Sequence, residues 1–109
     1  MREKLKVDFE FYRGILFIRL KGILTKYSLS NTDIDKVIND IGFKYIVFNI
    51  DNINQIDAYG INYLINHHEV LKKKHGIALI CQNNKLFLNK FISKVQTITK
   101  EREVFKKIY

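Results

Sequence analysis

Apolar and polar residues alternate along the first twenty positions of the chain. At positions 5–11 every second residue is apolar and the residues between them are charged, which is typical of a strand with one buried face. Arg13 and Gly14 interrupt the alternation, and a second alternating run occupies positions 16–20. Because only a short turn separates the two runs, the pattern predicts an antiparallel hairpin.

Two later segments are apolar without alternation. Residues 45–50 contain one polar residue, Asn49, and residues 77–81 contain none. Continuous apolar runs of this length are typical of strands that are covered on both faces inside an α/β sheet. We therefore expect both segments to be central strands.

Helical periodicity separates these strands. The first helix has a candidate N-cap at Ser30, with Asp33 three residues on as in a capping box, and Gly42 at its end. Leu29 and Ile34 are placed to form a hydrophobic staple across its first turn. Its apolar stripe consists of Ile34, Val37, Ile38 and Ile41.

The second helix has Asp57 as its candidate N-cap and Gly76 as its closing residue. Its apolar stripe consists of Ile61, Leu64, Ile65, His68 and Leu71. A third helical stripe consists of Leu88, Phe91, Ile92 and Val95, and a last short helix is predicted from about Thr99. The order of elements is β-β-α-β-α-β-α, then a short strand and a final helix, which indicates an α/β fold.

The size and composition favour one globular domain spanning residues 1–109. The chain has 109 residues, of which 47% are hydrophobic, so it can build one core. Its longest apolar runs are far shorter than the roughly 20 residues that span a bilayer. The charged N-terminus does not resemble a signal peptide, and one cysteine cannot form an internal disulfide. We expect a cytoplasmic protein without a membrane span.

The net charge of +8 is concentrated after residue 60. A basic half of this kind favours the binding of polyanions. The basic run at residues 72–75, however, ends the second helix, where cations complement the helix dipole without any ligand. The aromatic residues near it, Phe87 and Phe91, fit a core better than a base-stacking surface. We therefore do not expect nucleic acid as a partner.

No arrangement of residues predicts an enzyme, a cofactor or a metal. His67 and His68 are adjacent on a helix and point about 100° apart, and His75 follows two turns later. We expect His68 at the edge of the buried stripe and His67 and His75 in solvent. Cys81 ends a buried strand, where a thiol behaves as a small hydrophobe. The amide-rich segment 49–57 does not have the ligand spacing of a calcium loop.

The start of the second helix is the most informative segment. The residue after the Asp57 cap, Ala58, lies where unpaired backbone N–H groups and the helix dipole favour a phosphate. Gly60 in the first turn lowers helix propensity, which indicates either close packing or the close approach of a partner's backbone.

Three segments together resemble the STAS family, the sulfate-transporter and anti-sigma-factor-antagonist domain. They are residues 20–22 after the hairpin, the strand at 46–53 and the segment 56–61 that opens the second helix. The resemblance covers nearly the whole chain. It implies a mixed β-sheet of four to five strands covered by about four α-helices.

The resemblance also implies a function. Bacterial anti-sigma factor antagonists, also called anti-anti-sigma factors, are not enzymes. They bind an anti-sigma factor that is also a serine kinase, and phosphorylation of a serine prevents this binding. Ala58 occupies the position of that phosphoacceptor. The chain departs from the family again at Thr25, where an aspartate is frequent, and at Lys94 and Val95, where a glycine precedes a hydrophobic residue.

The first interpretation is therefore an antagonist that serine phosphorylation at the usual site does not switch. A second is a STAS scaffold subunit of a larger signalling assembly, which self-associates and uses Tyr59 as an interface residue. A third is a module that binds a nucleotide or another anion, with the helix N-terminus and the basic second half of the chain supplying the site. The residues expected to contact the partner are Thr25, Asn54, Asp57, Ala58, Tyr59, Gly60, Asn62 and Asn84.

Overall fold

The computed structural model describes residues 4–30, 32–84 and 94–108. Its strands are β1 (Lys6–Tyr12), β2 (Ile15–Leu24), β3 (Tyr45–Ile56), β4 (Ile77–Cys81) and β5 (Thr97–Ile98). They form one sheet in the order β1-β2-β3-β4-β5. β1 is antiparallel to β2 and the remaining neighbours are parallel, so the sheet is mixed as predicted.

The described helices are α1 (Lys26–Leu29), α2 (Ile34–Ile41), α3 (Ala58–Lys73) and α4 (Val104–Ile108), with a 3₁₀ turn at Glu101–Glu103. The third predicted helical stripe lies outside the described residues except for Val95, which is buried in the main core. Within the described residues no helix is long and apolar enough to cross a membrane.

The predicted hairpin is confirmed. Tyr12 pairs with Ile15 across a two-residue turn, and Arg13 and Gly14 both have positive φ angles, 53° and 81°. This is the backbone of a type I′ turn, whose twist matches that of the flanking strands.

The two faces of the sheet have separate cores because side chains alternate along each strand. The main core packs the sheet against α1, α2 and α3, and it includes Leu16, Ile18, Leu20, Ile38, Ile46, Phe48 and Leu64. The smaller core on the other face includes Ile15, Phe17, Val47, Leu79 and Val104. The central strands β3 and β4 contribute to both, which explains why their sequences are continuously apolar.

The predicted start of the first helix is wrong. Ser30 ends the short helix α1, and its hydroxyl donates to the Tyr27 carbonyl at 2.8 Å. The next helix, α2, begins at Ile34 after Asp33, which makes no side-chain cap. The residues after Thr25 form a separate short helix, so Ser30 lies at the end of α1 and not at the start of α2.

The closing residue of α3 and the lengths of two strands also differ from the prediction. His75, with φ 62°, takes the left-handed conformation after α3 instead of Gly76. A β-carbon at Gly76 would overlap the Lys44 carbonyl oxygen, so the glycine is required for close packing. β2 and β3 continue to Leu24 and Ile56 because they pair with each other beyond the end of β4.

A charged cluster joins the C-terminal segment to the sheet. The Arg19 guanidinium donates to both carboxylate oxygens of Glu101 at 2.8 and 2.9 Å, and to Glu10 at 2.6 Å. The Asn49 amide also donates to Glu101, at 2.6 Å. These bonds lower the pKa of Glu101, with Arg19 as the main cause. Bidentate pairs of this kind fix geometry as well as charge.

We expect Glu101→Gln to lower the free energy of unfolding by about 1 kcal/mol. The substitution removes one charge-assisted pair with Arg19, and the partial exposure of the cluster reduces its contribution. Urea unfolding followed by circular dichroism measures the change. Glu69→Gln removes the same charge from an exposed position on α3 and serves as the control. Equal losses in the two variants would contradict a specific role for Glu101.

Candidate partner-binding site

The candidate site lies where β2 and β3 end side by side. These parallel strands pair as far as Leu24 and Ile56, so Thr25 and Asp57 follow at the same edge of the sheet. Asp57 also donates its backbone N–H to the Leu24 carbonyl at 3.3 Å. The sheet therefore brings together two of the predicted site residues that are 32 positions apart in the sequence.

Asp57 caps α3 as predicted. Its backbone is extended, and its Oδ1 accepts a hydrogen bond from the Gly60 N–H at 2.8 Å. One of the free N–H groups in the first helical turn is thus already bonded to a carboxylate. The cap fixes the first turn of α3 and leaves the adjoining side chains at the surface.

Gly60 is required for close packing inside the molecule. It is buried, and a β-carbon there would overlap the Leu24 carbonyl oxygen and lie 2.9 Å from Ile56 Cγ1. Of the two explanations left open by the sequence, the structure supports packing against β2. Gly60 therefore positions the site and does not itself form part of its exposed surface.

The exposed surface of the site is formed mainly around the start of α3. Ala58 and Asn62 are exposed, and Tyr59 retains 50% of its accessible surface. Asn54 is also exposed, and it lies on β3 three residues before the Asp57 cap. At the helix start, Ala58, Tyr59 and Asn62 together give a surface with a methyl group, an aromatic ring and a side-chain amide.

Thr25 caps the neighbouring helix α1. The Ser28 N–H donates to Thr25 Oγ1 at 3.4 Å, and the Thr25 N–H donates to Ser28 Oγ at 2.9 Å, which completes a capping box. Thr25 thus has a structural role in holding α1.

Sequence reasoning missed Tyr27, whose side chain is 83% exposed on α1. α1 contacts both β2 and α3, so this tyrosine belongs to the same end of the molecule as Tyr59. The sequence did contain a signal for α1, the helix that carries Tyr27: Thr25 and Ser28 have the three-residue spacing of a capping box.

Asn84 lies apart from the other predicted site residues. Its neighbour Asn83 donates its N–H to Asp51 Oδ1 at 2.8 Å, and Gln82 donates to the Ile50 carbonyl at 2.7 Å. This segment is therefore held beside Asp51. Along the extended strand β3, Asp51 lies about 20 Å from Asp57. The structure does not bring Asn84 to the start of α3.

The basic run of α3 also lies far from the candidate site. Lys72 and Lys73 are the last residues of α3, a helix of 16 residues that begins at Ala58. About 22 Å of helix therefore separates Ala58 from these lysines. The helix start and the basic run therefore do not form one anion-binding surface.

The expectation that His67 lies in solvent is wrong. His67 Nε2 is 3.0 Å from Asp35 Oδ1, and its ring packs against Phe48 and Tyr63 with centroid distances of 5.5 and 4.7 Å. The Tyr63 hydroxyl donates to the same Asp35 oxygen at 2.7 Å. The cluster joins α2 to α3, and burial lowers the pKa of His67 against the opposing effect of Asp35.

The other histidine and cysteine expectations are confirmed. His68 lies at the edge of the buried stripe with Nδ1 3.0 Å from the Ala78 carbonyl, and His75 is exposed. Cys81 is fully buried, and burial raises the pKa of its thiol to about 12. A thiol with this pKa is not a nucleophile at neutral pH.

The comparisons with known proteins agree with the fold. No family model matches the chain. An anti-sigma F factor antagonist from Paenibacillus polymyxa is 24% identical over 82 residues, which are 73% of this chain and 70% of that protein. A putative anti-sigma factor antagonist from Thermotoga maritima has a TM-score of 0.76 at 12% identity, covering 94% of this chain and 93% of that one.

The antagonist SpoIIAA is similar in both of its forms. Its unphosphorylated form has a TM-score of 0.74 at 17% identity over 94% of this chain and 97% of that chain. The phosphorylated form, from Bacillus, has a TM-score of 0.70 at 16% identity over 95% and 100% of the two chains. The chain therefore has the STAS fold of the SpoIIAA-like anti-sigma factor antagonists, and the resemblance expected from the sequence is confirmed.

We expect Gly60→Ala to lower the free energy of unfolding by about 1–3 kcal/mol, because its methyl group has no space beside Leu24. Thermal unfolding measures the loss. The control is Asn66→Ala on the exposed side of α3, which we expect to stabilise the protein slightly through helix propensity. A Gly60→Ala protein as stable as wild type would contradict the packing role.

The histidine cluster predicts a pH dependence of stability. The pKa of His67 is lower in the folded than in the unfolded protein, so its contribution is complete above about pH 6.5 and is lost as the pH falls. We expect the melting temperature to decrease from pH 7.5 to pH 5.5, and to decrease less in His67→Gln. Identical decreases in the two proteins would show that another group is responsible.

Proposed function

We propose that this protein is a non-enzymatic regulator of transcription that binds an anti-sigma factor through the exposed start of α3. The observation that carries the proposal is the exposed pair Ala58 and Tyr59, held on a capped helix in a SpoIIAA-like fold. The Paenibacillus relative is an antagonist of anti-sigma F factor, which indicates the kind of partner. A partner that is also a serine kinase follows from the family resemblance.

The surface is suited to binding without rearrangement. The Asp57 cap fixes the first turn of α3, and the buried Gly60 holds that turn against Leu24. A preformed surface loses little conformational entropy when a partner binds. Tyr59 supplies a large side chain of the type that contributes strongly to protein interfaces.

We further propose that the usual phosphorylation switch is absent. Ala58 occupies the position that the resemblance assigns to the phosphoacceptor, and a methyl group cannot accept phosphate. A phosphate at this exposed position would add negative charge to the centre of the surface. With alanine there, the protein stays in the state that corresponds to the unphosphorylated antagonist.

The proposal includes a cytoplasmic location, because bacterial sigma factors act on RNA polymerase in the cytoplasm. The anion-binding interpretation receives less support, since the basic run at the end of α3 lies far from Ala58. The scaffold interpretation uses the same exposed Tyr59 and is distinguished from the antagonist by what the protein captures.

The test compares wild type with Ala58→Glu as bait in an extract of the cells that make the protein. We expect wild type to retain an anti-sigma factor with a kinase-like domain, and Ala58→Glu to retain at least about tenfold less. The added charge lies at the interface. It is also favourable at a helix N-terminus, so the fold is not weakened.

Ala58→Gln is the matched control, because it adds the same bulk without the charge. Capture of nucleic acid without an anti-sigma factor, or capture of nothing, would contradict the antagonist function. With ATP and the captured partner, we expect Ala58→Ser to gain the mass of one phosphate and wild type to gain none. Phosphorylation of wild type at another residue would contradict the loss of the switch.

A further inference from the structure

The outer edge of β1 is open among the residues that the structure describes. β1 is an end strand, and its pairing with β2 closes at Tyr12 and Ile15 beside the two-residue turn. The pair next to such a turn exchanges both of its hydrogen bonds, and every second pair repeats this pattern. The even-numbered residues therefore bond to β2, and the N–H and C=O groups of Val7 and Phe9 point to the open edge.

The side chains along this edge form one apolar row and one charged row. Val7 and Phe9 lie on the face of the main core, and Leu5 packs against the same core. Phe9 still retains 39% of its accessible surface. The charged row on the opposite face consists of Lys4, Lys6, Asp8 and Glu10.

We propose that two copies of the chain associate through this edge, with their β1 strands antiparallel and centred on Val7. The two sheets would then form one sheet of ten strands. In this register Lys6 faces Asp8 of the second copy and Lys4 faces its Glu10, and these contacts occur twice by symmetry. Val7 faces its own copy and Leu5 faces Phe9, so apolar side chains also meet apolar side chains.

The charges favour this register over its neighbours. Moving one strand by two residues leaves two opposite-charge contacts instead of four and sets either Asp8 or Lys6 against its own copy. Moving it by four sets Asp8 against Glu10, or Lys4 against Lys6, depending on the direction. Moving it by one residue places apolar side chains opposite charged ones. Charged residues usually protect an edge strand from pairing. Here the order of charges favours the register centred on Val7 over the shifted ones.

The association also extends the charged cluster on the sheet. Glu10 already accepts a hydrogen bond from Arg19, and Arg19 bonds to Glu101. Lys4 of the second copy would lie on the other side of Glu10. The result is a row of alternating charges that crosses from one copy to the other.

The edge is short, so the dimer is expected to be weak. Interfaces of small area occur mainly in transient complexes. Sedimentation velocity on the wild-type chain, from about 10 µM to about 1 mM at low salt, measures the dissociation constant. We expect a dimer that increases with concentration, and a chain that stays monomeric up to about 1 mM would overturn the proposal.

Charge reversal tests the register. Lys6→Glu and Asp8→Lys each create two like-charge contacts per dimer, and we expect each to weaken self-association about tenfold. A mixture of the two variants restores both contacts and should form heterodimers at wild-type strength. The double variant, Lys6→Glu with Asp8→Lys, should recover homodimers in the same way.

Lys6 and Asp8 are exposed, but Asp8 lies opposite Arg19 on β2, so circular dichroism and thermal unfolding check that each variant keeps the fold. Single variants that dimerise as well as wild type, or a mixture and double variant that do not recover, would overturn the proposed register. The experiment contains only this chain, so its outcome is independent of the binding to an anti-sigma factor proposed above.

Discussion

The fit of α3 against the end of β2 is the contact on which the proposed binding surface depends. At Gly60 the helix approaches the Leu24 carbonyl so closely that a methyl group would not fit. This approach sets where α3 begins relative to the sheet, and the Asp57 cap fixes the direction in which the helix leaves β3. The positions of Ala58 and Tyr59 follow from these two constraints. The most exposed part of the site is thus held by buried contacts.

Much of the fold was predictable from periodicity, because each buried element has a distinct pattern. The two central strands are continuously apolar and buried on both faces, and α3 has a helical stripe that matches its burial. The alternation in the hairpin predicted its two strands correctly but their burial wrongly, because β1 is an exposed end strand and β2 is covered on both faces. The errors occurred where long-range contacts override local preference. Ser30 resembles an N-cap locally but ends a short helix, and β3 extends to Ile56 because β2 lies beside it.

The candidate site was predictable only in part. Asp57 and its helix gave a local signal, whereas the position of Thr25 beside them depends on strand pairing. Asn84 was also expected at the site, but β4 ends level with Asn49 while β3 continues for seven more residues. His67 was expected in solvent because it lies outside the apolar stripe of α3, and the sequence does not show that Asp35 of α2 packs against it. Contacts between elements decide each of these cases.

The methyl group at Ala58 has a consequence for the timing of regulation. A serine at the same place lets a cell change the activity of existing molecules within the time of one enzymatic reaction. In the proposed function, alanine at this position makes the number of molecules the controlled quantity, so activation requires new synthesis, and inactivation requires dilution by growth or proteolysis. Such a protein acts by binding its partner one for one, so it has an effect only when its copies outnumber those of the partner. The proposed regulator is therefore suited to slow, committed transitions and not to rapid reversible ones.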